Sequence, residues 1–240
     1  MTLDVIAFDA DDTLWHTEYL YVEARERLVA LLSDYTDADT LIEGLGATEL
    51  SNLNLYGYGV KSFALSMVQA AVTLTGGRIS GEEVLSTLAI ARDMLTAEVH
   101  LLDGVKEAVG ELACCYRLMV ITKGDASEQM PKLLRSGLAD AFAMVEVVGS
   151  KTCDDYARLL AKHSIAAERF LMVGNSLKSD ILPVLELGGY GIYVPSDLLW
   201  SHEHVDDPPA SHSRYFEVSS ISEVVPLIDA LVQRGDQGRP

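Results

Sequence analysis

The sequence predicts an α/β protein in which a doubly wound parallel sheet carries an inserted all-helical segment. The first observation is a series of short apolar runs, which are typical of strands covered on both faces. The second is that helical patterns separate these runs from about residue 100 onward, as in open parallel sheets. The third is that residues 15–98 show helical spacing with no clear strand between the helices.

Strands are predicted wherever an apolar run is closed by an acid, Gly, Thr, Pro or Lys. The first run opens the stretch VIAFDADDTL, which covers residues 5–14 and changes abruptly from apolar to acidic. The other runs follow in chain order at residues 116–122, 141–149, 169–174 and 189–195, and the run at 141–149 is the least regular.

Four helical patterns fill the insertion, and others alternate with the later strands. Ser80 and Glu83 have the spacing of a capping box, and Ser220 and Glu223 repeat it before the last helix. The patterns cover residues 17–35, 37–50, 60–77 and 80–99 in the insertion, and 125–138, 152–165, 177–189 and 220–234 beyond it. We therefore expect an α/β core domain at 1–14 and 99–240 and a helical domain at 15–98.

Composition and charge limit the classes of partner. The 240 residues are 49% hydrophobic, which allows a sizeable core, and 36 acidic against 18 basic residues give a formal charge of -18. Such a surface repels nucleic acids and anionic lipids, so neither is an expected partner. The three cysteines have no CxxC spacing, and there is neither a signal-peptide pattern nor an apolar run of the ~20 residues that a membrane-spanning helix needs. We expect a cytoplasmic protein, monomeric or homodimeric.

The candidate site consists of the polar residues that end the apolar runs, because ligands of open α/β sheets bind at the carboxyl ends of the strands. The first run ends in three acids and a threonine. Taken alone, such a DxD stretch is more often a turn or a helix cap than a catalytic site. The positions at the strand ends are Asp9, Asp11, Asp12, Thr13, Thr122, Lys123, Lys151 and the segment GNSLKSD at 174–180.

In this order the strand-end residues resemble the four motifs of the haloacid dehalogenase superfamily. The stretch DADDT at 9–13 is similar to the DxDxT signature, and Thr122, Lys151 and GNSLKSD look like the second, third and fourth motifs. The helical insertion between the first two motifs resembles the helical cap, of C1 type, that accompanies the Rossmann-like core of that superfamily. The resemblance covers nearly the whole chain.

The resemblance implies a Mg²⁺-dependent phosphohydrolase that hydrolyses a small phosphomonoester, a phosphorylated metabolite, through an aspartyl-phosphate intermediate. Asp9 would be the nucleophile, and Asp11 would protonate the leaving oxygen and later activate water. Thr122 would donate a hydrogen bond to the phosphoryl group, and Lys151 would neutralise charge. Asp9, the backbone carbonyl of Asp11 and Asp180 would be the oxygen ligands that Mg²⁺ prefers.

Three further residues of these motifs receive smaller roles. Asn175 stands where the family usually has Asp, and we expect it in the outer shell of the metal with a weakened Mg²⁺ affinity. Thr13 is expected to fix the turn that carries the two aspartates. Asp12 occupies the variable position of the motif and receives no catalytic role.

Several residues have a substrate role and a structural role as open alternatives. Lys123, where the family usually has a small or amide residue, could contact substrate or be exposed. Tyr56, Tyr58 and Lys61 surround two glycines of the insertion and could select substrate, although packing tyrosines and a solvated lysine explain the pattern slightly better. In related phosphonate-cleaving enzymes a cap lysine forms a Schiff base, so Lys61 keeps that alternative.

Other functions also remain open at this point. Dehalogenases of the superfamily lack the acid–base Asp, so the presence of Asp11 disfavours dehalogenation, and nothing supports a phosphonatase or phosphomutase. A non-catalytic module that keeps the fold for binding or regulation is the competing class, because Asn175 departs from the pattern. The loop WSHEHVDDPPASH at 200–212 contains three histidines, but its proline and acidic content favour a solvated loop over a metal site.

Overall fold

The computed structural model describes residues 2–198, 200–205 and 207–237. Its strands form one six-stranded parallel sheet in the order β3-β2-β1-β4-β5-β6, with the central strand β1 buried along its whole length. The predicted fold class is therefore confirmed. The strands are β1 (Val5–Phe8), β2 (Arg117–Lys123), β3 (Met144–Val148), β4 (Phe170–Gly174), β5 (Tyr190–Tyr193) and β6 (Tyr215–Glu217).

Five of these strands match the predicted runs, and β6 was not predicted. The β6 strand is only three residues long and lies at the edge of the sheet beside β5. A run this short carries no recognisable alternation, so the sequence gives no signal for it.

The register of the central strands places their carboxyl ends side by side. Phe8, the last residue of β1, lies opposite Val120 of β2 and Val173 of β4. β4 ends one residue after Val173, whereas β2 continues for three residues after Val120. Asp9 therefore leaves the sheet next to the end of β4 and beside the last residues of β2. This alignment brings the predicted motifs to one edge.

Helices cover both faces of the sheet. Alternate residues of β1 point to opposite faces, where Ile6 and Phe8 join one apolar cluster and Val5 and Ala7 another. The helices after the insertion are α5 (Val105–Ala113), α6 (Ala126–Arg135), α7 (Cys153–Lys162), α8 (Leu182–Glu186) and α9 (Val224–Gln237).

Two predicted helix starts differ from the structure. The pattern at 177–189 is a π-helical turn, Leu177–Ile181, followed by the short α8, so the wider turn changes the direction of Asp180 within it. The capping box predicted for Ser220 is wrong, because the Ser220 side chain makes no capping hydrogen bond. Instead Glu223 accepts from the backbone N–H of Ser219 (3.0 Å) and from its hydroxyl (2.9 Å).

The insertion contains four helices with an apolar core of their own. The capping box at Ser80 and Glu83 is confirmed, since each side chain bonds to the backbone of the other. The second helix extends beyond its predicted end at 50 and stops at Gly57, whose φ of 71° ends the helix in a conformation that favours glycine. These helices are α1 (Glu18–Leu32), α2 (Ala38–Tyr56), α3 (Val60–Leu74) and α4 (Gly81–Thr96).

The chain divides into two compact units. The core unit comprises the segments up to His16, Val99–Lys123 and from Gln129 onward, and the helical unit comprises Thr17–Glu98 and Gly124–Glu128. The short segment Gly124–Glu128 lies outside the predicted helical domain. It joins the helical unit because Glu128 accepts a hydrogen bond from the backbone N–H of Val60 (3.0 Å) and Asp125 pairs with Lys61 (2.7 Å).

No helix in the described part of the chain combines the length and the apolar character that crossing a bilayer requires.

Candidate active site

The centre of the candidate site is a lysine that lies between two carboxylates. The Lys151 Nζ is 2.5 Å from Asp9 Oδ1 and 2.6 Å from Asp180 Oδ1. All three residues are buried: Asp9 is 8% exposed, Lys151 6% and Asp180 1%. The structure thus brings together residues from the first, third and fourth motifs, which are separated by up to 171 positions in sequence (180 − 9).

Local structure fixes the position of each member of this cluster. Asp9 follows β1, and its backbone N–H bonds to the carbonyl of Val173 (2.9 Å). Lys151 directly precedes Thr152, which begins α7 in a capping box with Asp155. The backbone N–H of Ser176 donates to Asp180 Oδ2 (3.0 Å), and the other carboxylate oxygen, Oδ1, contacts Lys151.

Burial and charge act in opposite directions on this cluster. Burial raises the pKa of the Asp9 carboxyl well above its usual value, and the nearby Asp180 carboxylate adds to the rise, whereas Lys151 opposes it. Burial by itself lowers the pKa of the Lys151 ammonium, but the Asp180 and Asp9 carboxylates outweigh it and raise that pKa well above its usual value. Lys151 is therefore a permanent cation at this point.

Thr13 links the first motif to the fourth. Its Oγ1 lies 3.3 Å from Asp9 Oδ2 and 3.3 Å from Asn175 Oδ1, and it accepts a hydrogen bond from the Asn175 backbone N–H (3.1 Å). A hydroxyl has one proton, so Thr13 donates to only one of the two side chains at a time. Asp12, in the same turn, has a φ of 58°, a left-handed conformation that Asp tolerates better than most residues.

The Asp11 carboxylate lies in a different environment from that of Asp9. Trp15 Nε1 donates to Asp11 Oδ1 at 2.8 Å, and the Lys132 ammonium pairs with the same oxygen. Gln129 Nε2 donates to Asp11 Oδ2 at 2.7 Å. The Asp11 side chain is 31% exposed, against 11% for that of Asp9.

The second-motif residue Thr122 is joined to Asp11 through Gln129. Thr122 is 3% exposed, and its Oγ1 accepts from Gln129 Nε2 at 3.0 Å. Neither Gln129 nor Lys132 was predicted from the sequence. Both lie on α6, which follows the second-motif strand, but single polar residues on a helix are too ordinary to mark a site.

Lys123 contacts a residue that sequence reasoning missed. Its Nζ donates to Glu203 Oε1 at 2.6 Å and to Ser179 Oγ at 3.0 Å. Glu203 Oε2 accepts from the hydroxyls of Ser176 and Ser179, each at 2.5 Å. The exposed alternative for Lys123 is wrong, because its side chain is 16% exposed.

Glu203 also corrects the interpretation of the histidine-containing loop as solvated throughout. This residue is 8% exposed and ties the loop to the fourth-motif segment. Burial raises the pKa of Glu203, but Lys123 and the hydroxyls of Ser176 and Ser179 outweigh it and lower the pKa to about 2. One acid among the many in this loop is distinguished only by tertiary contacts, so the sequence offered no signal for it.

The remaining candidates lie in the helical unit. Tyr56 is the last residue of α2 and is 51% exposed, and Tyr58 is half-buried. Lys61 begins α3 and pairs with Asp125 (2.7 Å) and with the Ser127 hydroxyl. Their substrate roles stay predictions.

The donors of the central cluster fit a hard divalent cation. Asp9 and Asp180 present buried carboxylates close to each other, since both contact Lys151, and carboxylate oxygens are the ligands that Mg²⁺ prefers. A Cβ on Gly174 would lie 2.4 Å from Asp180 Oδ2, so glycine is needed there for Asp180 to reach the cluster. In the described residues no three His, Cys, Asp or Glu side chains form a ligand group, so further ligands would be backbone, amide or water oxygens.

The protein is a doubly wound α/β protein with buried carboxylates at the carboxyl ends of its strands, where proteins of this fold bind their ligands. The chain belongs to the haloacid dehalogenase-like hydrolase family, whose model matches residues 3–188, and it is therefore a hydrolase. The family predicted from the four motifs is confirmed.

Individual relatives give further comparisons. The crystal structure of a haloacid dehalogenase-like family hydrolase from Xanthomonas campestris is 40% identical, with a TM-score of 0.86 over 98% of this chain and 95% of that one. The glyceraldehyde 3-phosphate phosphatase of Methanothermobacter thermautotrophicus is 24% identical over 93% of this chain and 100% of its own length. The 2-haloacid dehalogenase of Pseudomonas syringae is 22% identical, with a TM-score of 0.64 over 96% of this chain and 100% of that one, a likeness of fold.

Proposed function

We propose that this hydrolase cleaves a small phosphomonoester, with Asp9 as the nucleophile and Asp11 as the acid and base. The observation that carries the proposal is the position of Asp9, which is buried and held 2.5 Å from the Lys151 ammonium while Asp11 follows two residues later. A carboxylate nucleophile needs a fixed cation beside it, because the phosphoryl group it attacks is also anionic. The similarity to a phosphatase acting on a three-carbon phosphate supports the same reaction class.

In the first half of the reaction an Asp9 carboxylate oxygen attacks phosphorus, and the bond from phosphorus to the leaving oxygen breaks. Asp11 gives its proton to that oxygen, so the alcohol leaves as a neutral molecule. The Thr122 hydroxyl donates to a phosphoryl oxygen, and Lys151 balances the charge that develops beside Asp9.

In the second half a water molecule attacks the phosphorus of the aspartyl phosphate, and Asp11 accepts a proton from that water. The bond between phosphorus and the Asp9 oxygen breaks, which releases inorganic phosphate and restores the Asp9 carboxylate. The proton that Asp11 lost in the first half is thereby regained, so the enzyme returns to its starting state.

The proposal includes Mg²⁺ held by Asp9, Asp180 and the backbone carbonyl of Asp11, with Asn175 in its outer shell. When bound, this ion would supply positive charge and orientation for the phosphoryl oxygens. Asp9 and Asp180 support this assignment because both carboxylates are buried and lie close enough together to contact the same lysine. Selection of the substrate is assigned to the helical unit, with Tyr56, Tyr58 and Lys61 as the residues to test.

The test is a panel of phosphorylated metabolites that includes glyceraldehyde 3-phosphate, assayed with Mg²⁺ and again with EDTA. Asp9→Asn should abolish hydrolysis of every substrate, because an amide cannot form the aspartyl phosphate. Asp12→Asn is the matched control, since it removes one charge from the same turn and Asn tolerates the left-handed backbone at that position. Turnover that survives in Asp9→Asn, or that requires no metal, would refute the corresponding part of the proposal.

A further inference from the structure

The Asp11 carboxylate is held by a set of hydrogen-bond donors that the family motifs do not include. Both of its oxygens accept hydrogen bonds: Oδ1 from Trp15 and Lys132, and Oδ2 from Gln129. A carboxylate held at both oxygens by donors from two chain segments cannot rotate about its terminal torsion without losing at least one bond. The direction of this side chain is therefore fixed before any substrate arrives.

We propose that Gln129 and Lys132 are positioning residues that aim the Asp11 carboxylate at the leaving oxygen. This inference rests on the proposed phosphatase function and deepens it. Gln129 and Lys132 are three positions apart on α6, a spacing that places both side chains on one face of the helix. The helix that follows the second-motif strand thus controls the acid–base residue of the first motif.

The contacts of Gln129 show that its amide serves as a donor. Its Nε2 lies 2.7 Å from Asp11 Oδ2, 3.0 Å from Thr122 Oγ1 and 2.9 Å from the Lys123 carbonyl. Gln129 is 4% exposed, and its Oε1 is buried with no hydrogen-bond partner among the described residues. An unsatisfied buried acceptor is unfavourable, but turning the amide around would set that oxygen against the Asp11 and Lys123 oxygens, which are also acceptors. The hydrogen bonds of its nitrogen therefore fix the orientation of the Gln129 amide.

The contacts of Lys132 fix the other oxygen. Its side chain is 12% exposed, and its Nζ lies 5.7 Å from the centre of the Trp15 ring while it pairs with Asp11. The Trp15 ring nitrogen donates to the same Asp11 oxygen. The indole and the carboxylate together hold the lysine in one position, and each of the three side chains contacts the other two.

A positioning role predicts a dependence on the leaving group. An aryl phosphate such as p-nitrophenyl phosphate releases a stable phenolate and needs little protonation, whereas an alkyl phosphate such as glycerol phosphate releases a strongly basic alkoxide. General acid catalysis contributes about 10²–10⁴-fold to rates that need it. The proton that Asp11 gives to the leaving oxygen affects the steps up to its release, which kcat/KM reports, whereas the water that Asp11 later activates attacks the same aspartyl phosphate with either substrate. Misdirecting Asp11 should therefore lower kcat/KM selectively for the alkyl substrate.

The experiment compares kcat and KM for both substrates in Gln129→Leu, Lys132→Met and Lys132→Arg. We expect the two neutral variants to lose about 10- to 100-fold in kcat/KM with glycerol phosphate and less than about 3-fold with p-nitrophenyl phosphate, a part of the full acid–base contribution. Lys132→Arg should restore most of the loss, since it keeps a cationic donor. Arg135→Met is the control, because Arg135 is an exposed cation on the same helix.

Asp11→Asn supplies the second arm of the test. In that background Gln129→Leu and Lys132→Met should cause no further selective loss with glycerol phosphate, because the group that they aim is gone. Equal losses of kcat/KM with both substrates in the single variants, or selective losses of kcat/KM that persist in Asp11→Asn, would overturn the positioning role alone. A wild-type protein that hydrolyses neither substrate with Mg²⁺ would overturn the proposed function together with this inference.

Discussion

Each unit of the molecule contains a basic side chain between two carboxylates, but the two clusters are built differently. In the core unit Lys151 lies 2.5 Å from Asp9 and 2.6 Å from Asp180. In the helical unit Arg25 lies 3.1 Å from Glu18 but 3.8 Å from Glu49. The side chains of Lys151 and Asp180 are each 1% exposed, whereas that of Arg25 is 19% exposed.

The difference separates a buried cluster whose geometry is set by charge from one whose geometry is set by helix packing. The Arg25 guanidinium also lies 6.0 Å from the Tyr21 ring and 5.6 Å from the Phe63 ring, so its position is set by helix packing as much as by charge. Burial raises the pKa of Glu49 to about 7, more than Arg25 lowers it, and the Glu18 carboxylate adds to the rise. The core cluster instead has two short contacts of nearly equal length to one cation. Two such short contacts indicate that charge, rather than packing, sets the positions of these side chains.

The largest effect that this comparison predicts is that of Lys151→Met. Removing a cation from between two buried carboxylates leaves an uncompensated charge in the interior, which costs about 3–5 kcal/mol of unfolding free energy. Lys162→Met is the control: Lys162 also pairs with a carboxylate, at 2.6 Å to Glu146, but it is 62% exposed, and such pairs contribute about 1 kcal/mol or less. Urea unfolding at pH 8 measures both, and equal losses would show that burial of the core cluster carries no special cost.

The next effect concerns Glu49, and its sign depends on pH. A carboxyl with a raised pKa binds its proton more tightly in the folded than in the unfolded protein, so the wild type loses stability as pH rises from 4.5 to about 7. Glu49→Gln removes this penalty, and it should stabilise the helical unit by up to about 3 kcal/mol at pH 8 and by much less at pH 5.5. Unfolding free energies at the two pH values give the result. A variant less stable than the wild type at pH 8 would contradict the prediction.

The two clusters also differ in how far the sequence could predict them. Three strands of the parallel sheet are followed by Asp9, Lys151 and Asp180. Because parallel strands have their carboxyl ends at one edge of the sheet, the order of the motifs was enough to predict that these residues meet. The partners of Arg25 depend on which helix faces meet, and helical periodicity does not reveal that. The same limit applies to Glu203, which reaches the core site from a loop with no period at all. The meeting of the strand-end residues was predictable, and contacts that need packing geometry were not.

The third prediction concerns Asn175, whose replacement by Asp would add one negative charge beside the core cluster. Asn175 is 8% exposed and lies beside Thr13, whose hydroxyl also touches Asp9. If this edge binds Mg²⁺, Asn175→Asp should lower the half-saturating Mg²⁺ concentration about tenfold, the lower end of the range for groups around a metal site. Thermal unfolding in a Mg²⁺ series reports binding independently of activity. Glu49→Gln, a charge change in the helical unit, should leave the Mg²⁺ response unaltered.

The smallest expected effect is that of Arg25→Met, which removes the cation of the helical cluster but keeps an apolar side chain against Tyr21 and Phe63. Its closer partner, Glu18, is 18% exposed at the side chain, so loss of that pair should cost about 1 kcal/mol or less. Arg25 lowers the pKa of Glu49, and without it Glu49 keeps its proton to higher pH.

At pH 6 Glu49 is largely protonated with or without Arg25, so the variant should lose only about 1 kcal/mol of unfolding free energy. At pH 8 the wild type has an ionised Glu49 that Arg25 stabilises, and the variant does not, so the loss should rise to about 2 kcal/mol. Urea unfolding of Arg25→Met at the two pH values measures the difference, and the double variant with Glu49→Gln should remove its pH dependence. If the loss instead matches that of Lys151→Met at both pH values, the helical cluster holds its charges as firmly as the core cluster, and packing does not distinguish the two.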